Sequence, residues 1–302
     1  MVAALLLAAL ATSETSFAAR NLAEPQSRAW IGSQFALLSA LTLANVASFT
    51  LGHPASSAAA DFEYFGEKNV LRGLHEGSSR VSDGAAAVGL VAPFIAFAPA
   101  GRVEAAQASL VYGEVLQFSL LANTVTKRSV RRLRPAARSL VAQAVEPGAA
   151  DAYYSFYSGH SALSFSAASG GSLLFSALHG EDDRSVIAYS GASFFLAGFV
   201  AHARVRAGKH YPSDVAVGSL AGLLASATVV AAHRISTQAT PLRVASALAG
   251  ASLGLLSAYA LPTRVLRRRD RGGWTVAPSL VPQVRGAVLS LSARRRQSSN
   301  VD

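Results

Sequence analysis

Three short clusters between Lys127 and Asp214 hold residue types suited to phosphoryl transfer through a histidine. The first is Lys127, Arg131 and Arg134-Pro135, at the end of an apolar segment. The seven-residue step from Lys127 to Arg134 returns to nearly the same face of a helix, and Pro135 should end or redirect that helix. Guanidinium groups offer paired donors matched to phosphate oxygens, and an ammonium adds a point charge. The second is Tyr157-Ser158-Gly159-His160, before another apolar segment. Ser158 suits an N-cap and Gly159 permits close backbone approach. The amides of that helix start can bind an anion, and His160 stands where it can protonate a leaving oxygen. The third is Arg204, His210 and Asp214. With a helix beginning near Pro212, His210 and Asp214 share a face, and the carboxylate can accept the Nδ1 hydrogen and leave Nε2 as a nucleophile. Each cluster alone also fits a plain structural role: a basic helix C-terminus, a capped helix start, an ion pair. What distinguishes them is their joint occurrence at the ends of apolar segments.

Those segments dominate the chain. Of its 302 residues, 51% are hydrophobic and 15% charged, against roughly a quarter charged in soluble domains. Stretches of helical length cover 30–51, 84–100, 103–126, 161–178, 185–203 and 213–233, with a seventh possible at 242–262. A polar stretch, 52–83, separates the first two. Segments 161–178 and 213–233 are rich in Ala, Ser and Gly, which lets helices approach closely in a membrane. The expected architecture is all-α, a bundle of about six core helices that spans a membrane. A soluble Ala-rich bundle is the other reading, since Ala and Ser are only mildly apolar. No polar linker divides two cores, so 30–235 is read as one domain. It is preceded by a signal-like or anchoring segment, 1–29, and followed by a tail, 236–302, with one further helix, a basic patch and a possible β-hairpin at 273–293.

The net charge of +10 rests on 27 basic residues, only 3 of them lysine, and no cysteine is present. Thiolate chemistry and disulfides are excluded. Nucleic acid is an unsuitable partner, because the arginines gather at the ends of apolar segments rather than along a face interleaved with aromatics. With the N-terminus cytoplasmic and 30–51 the first span, residues 52–83, 127–160 and 204–212 all lie on the far side. A cleaved leader would invert that arrangement.

The joint pattern K-x6-R-P, S-G-H and R-x5-H-x3-D, in that order, resembles the PAP2 (type 2 phosphatidic acid phosphatase) superfamily, which includes bacterial acid phosphatases and vanadium haloperoxidases. Lys127, Arg134, Pro135, Ser158, Gly159, His160, Arg204, His210 and Asp214 carry the resemblance over roughly 30–235. Tyr157 stands where a proline is usual and Ala203 where a serine is usual. The resemblance implies that His210 attacks phosphorus, Asp214 orients it, and His160 protonates the leaving alkoxide and then activates water. It implies that Lys127, Arg134, Arg204 and the amides near Ser158 and Gly159 hold the phosphate oxygens. No metal or other cofactor is implied, except vanadate in the haloperoxidase branch. The expected activity is hydrolysis of a lipid phosphate or polyprenyl diphosphate by a multi-pass membrane protein with its site outside the cytoplasm. The alternatives are a soluble periplasmic acid phosphatase and a haloperoxidase.

Overall fold

Among the described residues, six helices are long and apolar enough to cross a membrane, and four of them pack on a seventh that is not. A computed structural model describes residues 26–50, 77–137, 150–180, 182–235, 237 and 240–260. The long helices are α1 (Arg28–Thr50), α2 (Gly77–Phe97), α3 (Arg102–Val130), α4 (Gly159–His179), α5 (Asp183–Arg206), α6 (Pro212–Ala232) and α7 (Pro241–Ala260). Among the described residues there is no strand. Most of the signal-like start, most of the 52–83 stretch and the tail beyond residue 260, where the β-hairpin is expected, lie outside them.

The helix starts follow local chemistry. Ser158 caps α4, its hydroxyl accepting the Ser161 amide, and Asp182 caps α5 through the Arg184 and Ser185 amides. Pro212 opens α6, where a missing N–H has no helical partner to lose. Helix α2 begins seven residues before the apolar stretch that predicts it, taking Ser79, Ser82 and Asp83 into its first two turns.

Helix α3 holds Glu104, Glu114, Gln107 and Asn123, so its sequence lacks a continuous apolar face. It is tolerated because α1, α2, α4 and α6 all pack on it. Its Glu114 pairs with His233 beyond the end of α6 at 2.6 Å, both buried, with Trp30 of α1 edge-on to the imidazole. A buried charge needs such a partner. Around this pair lie Phe97, Val111, Tyr112, Val115, Leu174 and Val229 of the main core.

Close helix contacts rest on small residues. A Cβ on Gly222 of α6 would run into the Ala162 carbonyl of α4, and one on Gly250 or Gly254 of α7 into the Gly191 or Phe195 carbonyl of α5. Without a water-driven hydrophobic effect inside lipid, such backbone approach is what holds helices together. Arg243 at the start of α7 adds a polar clamp, reaching Asp183 Oδ1 at 2.6 Å, Ser176 Oγ at 2.6 Å and the Gly180 carbonyl at 3.0 Å. The outer faces carry Phe35 and Leu43 of α1, Val88 and Ile95 of α2, Leu220 and Leu224 of α6, and Leu248, Leu253 and Leu256 of α7, all exposed. So much exposed apolar surface on four helices suits acyl chains and not water. The chain reads as a multi-pass membrane protein.

Candidate active site

Five helix ends meet at one end of the bundle: the starts of α2, α4 and α6 and the ends of α3 and α5. Every motif residue sits on or beside one of them. Lys127, in the last turn of α3, places its ammonium 3.5 Å from where a Cβ on Gly159 would lie, while Asn123 Oδ1 would be only 2.7 Å from it. Any larger residue at 159 would have to displace the Asn123 side chain. Asn123 also donates to the Tyr157 carbonyl at 2.8 Å, fixing the turn that leads into α4.

The helical-face expectation for Lys127 and Arg134 is corrected. Helix α3 stops at Val130, and Arg131 takes left-handed angles (φ 51, ψ 44) as its C-cap. Arg132 to Arg134 then run beside residues 152–155, with Ser155 N donating to Arg132 O at 2.9 Å and Arg134 N to Ala152 O at 2.8 Å. Pro135 begins a short helical turn instead of ending one. Arg134 still reaches the site: it is buried and its guanidinium donates to the Lys209 carbonyl, adjacent to His210.

His210 is buried and lies just before α6, and Asp214 is in its first turn, so the two do not share a helix face. Asp214 Oδ2 is 3.8 Å from His210 Nδ1, while the Ser155 carbonyl accepts from that nitrogen at 2.8 Å. The direct Asp214–His210 hydrogen bond of the expectation is therefore replaced. The reason is that the carboxylate is already committed. Asp214 accepts from Ser155 Oγ at 2.5 Å, from the Tyr211 amide at 2.9 Å and from Arg132 at 2.6 Å. Asp214 thus fixes the residue whose carbonyl holds the imidazole. A carbonyl only accepts, so Nδ1 bears the hydrogen and the lone pair is on Nε2. Burial lowers the pKa of His210 to about 3, with the Arg134 and Lys127 cations acting in the same direction, which keeps the ring neutral.

Arg132 is the clearest residue missed by sequence reading. It is 1% exposed, donates to Asp214 Oδ1 and to Ser213 Oγ at 2.8 Å, and stacks over Tyr211 at 4.1 Å. Its only sequence signal is membership of the run Arg131-Arg132-Leu133-Arg134, which does not say which arginine turns inward. Ser155 and Asn123 gave no signal at all.

On the other side of the site, His160 Nε2 contacts Asp83 Oδ1 at 2.9 Å, and the same oxygen accepts from Arg204 Nη1 at 2.9 Å. Arg204 is buried and also reaches Ser79 and Ser82 Oγ at 3.3 Å. Asp83, 53% exposed, joins two motif residues that are 44 apart in the chain. Sequence reading assigned it to a polar stretch.

Lys127, Arg134 and Arg204 are cations around two imidazoles, one with its Nε2 lone pair available. This arrangement can place three positive groups against a tetrahedral oxyanion beside a nucleophile and a proton donor. The PAP2 superfamily model matches residues 108–238, from within α3 to just beyond α6. No curated protein and no solved structure matches the chain. That match spans every motif residue from Lys127 to Asp214, so residues 108–238 are similar to the PAP2 superfamily where the site is built.

Proposed function

We propose that the chain is a phosphatase that removes phosphate from a lipid phosphate or polyprenyl diphosphate through a phosphohistidine on His210, at the extracytoplasmic membrane face. The observation that carries this reading is the fixed tautomer of His210: Nδ1–H bound to the Ser155 carbonyl, Nε2 left with its lone pair, and the ring kept neutral by burial among cations.

In the proposed reaction Nε2 attacks phosphorus and the bond to the leaving oxygen breaks. His160, protonated, gives its Nε2 proton to that oxygen. Lys127, Arg134 and Arg204, with the amides at the start of α4, hold the remaining oxygens as their charge redistributes, an effect of a few kcal/mol per well-placed donor. Water then attacks phosphorus, His160 takes its proton, the P–N bond breaks and inorganic phosphate leaves. His160 ends as it began, the proton given to the leaving oxygen being replaced by one from water.

A lipid substrate is supported by the surroundings: the exposed apolar faces of α1, α2, α6 and α7 suit acyl chains, and the site lies at one end of these spanning-length helices. The test is phosphate release by detergent-purified protein from phosphatidate, a polyprenyl diphosphate and p-nitrophenyl phosphate. Turnover that vanadate inhibits and His210→Ala abolishes is expected. Release at an undiminished rate by His210→Ala would overturn the assignment.

A further inference from the structure

The family match begins at residue 108, and Asp83 on α2 lies outside it, yet its carboxylate stands inside the site. We propose that Asp83 is a specificity-determining residue that makes the enzyme prefer phosphomonoesters of alcohols over diphosphates. The inference rests on the phosphatase reading above and narrows its substrate class.

The argument is one of position and charge. Asp83 Oδ1 lies 2.9 Å from His160 Nε2, the atom that must deliver a proton to the leaving oxygen. Whatever departs from phosphorus on that side departs against this carboxylate. A monoester releases an alcohol, which is neutral once protonated and can donate a hydrogen bond to Asp83. A diphosphate attacked at its terminal phosphorus releases a phosphomonoester anion, which places like charges together in a partly desolvated site. Like charges at such range cost roughly tenfold or more in rate even when water screens half the carboxylate.

Arg204 strengthens the same preference. Its Nη1 is engaged by Asp83 at 2.9 Å, so the guanidinium that could clamp a second phosphate is partly neutralised. Arg132 is likewise cancelled by Asp214. Asp83 thus takes one from the positive charge that Lys127, Arg134 and Arg204 set around the two imidazoles, which weighs most against the substrate of higher charge.

Asp83 is anchored on a helix whose neighbouring Ser79 and Ser82 hold the same Arg204 nitrogen. The half-exposed side chain tolerates Asn without a buried cavity, so Asp83→Asn is expected to fold.

The experiment compares kcat/KM for one polyprenyl alcohol as its monophosphate and as its diphosphate, for the wild-type protein and Asp83→Asn. The wild type should prefer the monophosphate, and Asp83→Asn should shrink that ratio by tenfold or more. Inhibition by inorganic pyrophosphate relative to orthophosphate should strengthen in the variant by a similar factor, a readout that needs no change in turnover. A ratio unchanged in Asp83→Asn, with both substrates slowed equally, would reduce Asp83 to a support for the helix ends and overturn the proposal. A wild type that prefers the diphosphate would also overturn it. Hydrolysis of neither substrate by a protein that binds neither anion would instead strike the phosphatase reading itself.

Discussion

Replacing Arg132 with Met separates the support of the site from its chemistry. Arg132 touches no proposed substrate position. It neutralises Asp214, which is 0% exposed, at 2.6 Å, donates to Ser213 and covers the Tyr211 ring. Arg132→Met keeps most of the side-chain volume and removes the charge. Asp214 then keeps only Ser155 Oγ and the Tyr211 amide, and an uncompensated buried carboxylate costs about 3–5 kcal/mol. At roughly 2–4 °C per kcal/mol for a chain of this size, the melting temperature in detergent should fall by about 6–20 °C. Turnover should fall as well, because Ser155, which positions His210, depends on the same carboxylate. Adding Asp214→Asn removes the orphaned charge, so Arg132→Met/Asp214→Asn should melt higher than Arg132→Met alone while regaining no turnover. Thermal unfolding followed by intrinsic fluorescence gives the first quantity and phosphate release the second. A single variant that melts within about 1 °C of wild type, or a double variant no more stable than the single, would refute the assignment of Arg132 as the counter-ion of Asp214.

Four further outcomes follow from the geometry. Because burial and two cations hold His210 near 3, the nucleophile stays unprotonated well below its ordinary value of 6.5; kcat/KM, corrected for substrate ionisation, should show no acid limb near 6.5 that belongs to residue 210. The linked stability runs in a defined direction: the unfolded chain takes up this proton first, so the contribution is full above 6.5 and fades as pH falls towards 3, which pH-dependent melting of wild type against His210→Gln measures. Gly159→Ala would set a Cβ 2.7 Å from Asn123 Oδ1, beside the Lys127 ammonium, and should lower kcat/KM tenfold or more with little change in melting temperature. Membranes carrying the protein should retain it through alkaline carbonate washing, and release without detergent would contradict the spanning helices.

The apolar segments placed every long helix but α2 within a few residues, since each has the length of a bilayer and ends in charged, Gly or Pro-containing sequence. The motif residues were equally readable, because Lys127, His160, Arg204, His210 and Asp214 lie at those ends. What escaped were the groups that hold them. Asp83 falls in the polar stretch 52–83, whose last residues lack a continuous apolar signal, yet the first two turns of α2 form there and bring Ser79, Ser82 and Asp83 to Arg204. Arg132 and Ser155 act through partners 82 and 59 residues away, beyond any local periodicity. The turn out of α3 misled for a similar reason: the seven-residue spacing fits a helix, but the left-handed Arg131 ends it to let Arg132 face Asp214.

The account turns on a covalent bond between phosphorus and Nε2 of His210. Rapid quenching of the purified protein with substrate labelled in the phosphate should trap a labelled chain whose label survives base and is lost in acid, as a phosphohistidine requires. The label should map to His210, be absent from His210→Ala and accumulate in His160→Ala with a good leaving group. A protein that turns over at full rate with no trapped label, or whose label maps elsewhere, would contradict the account.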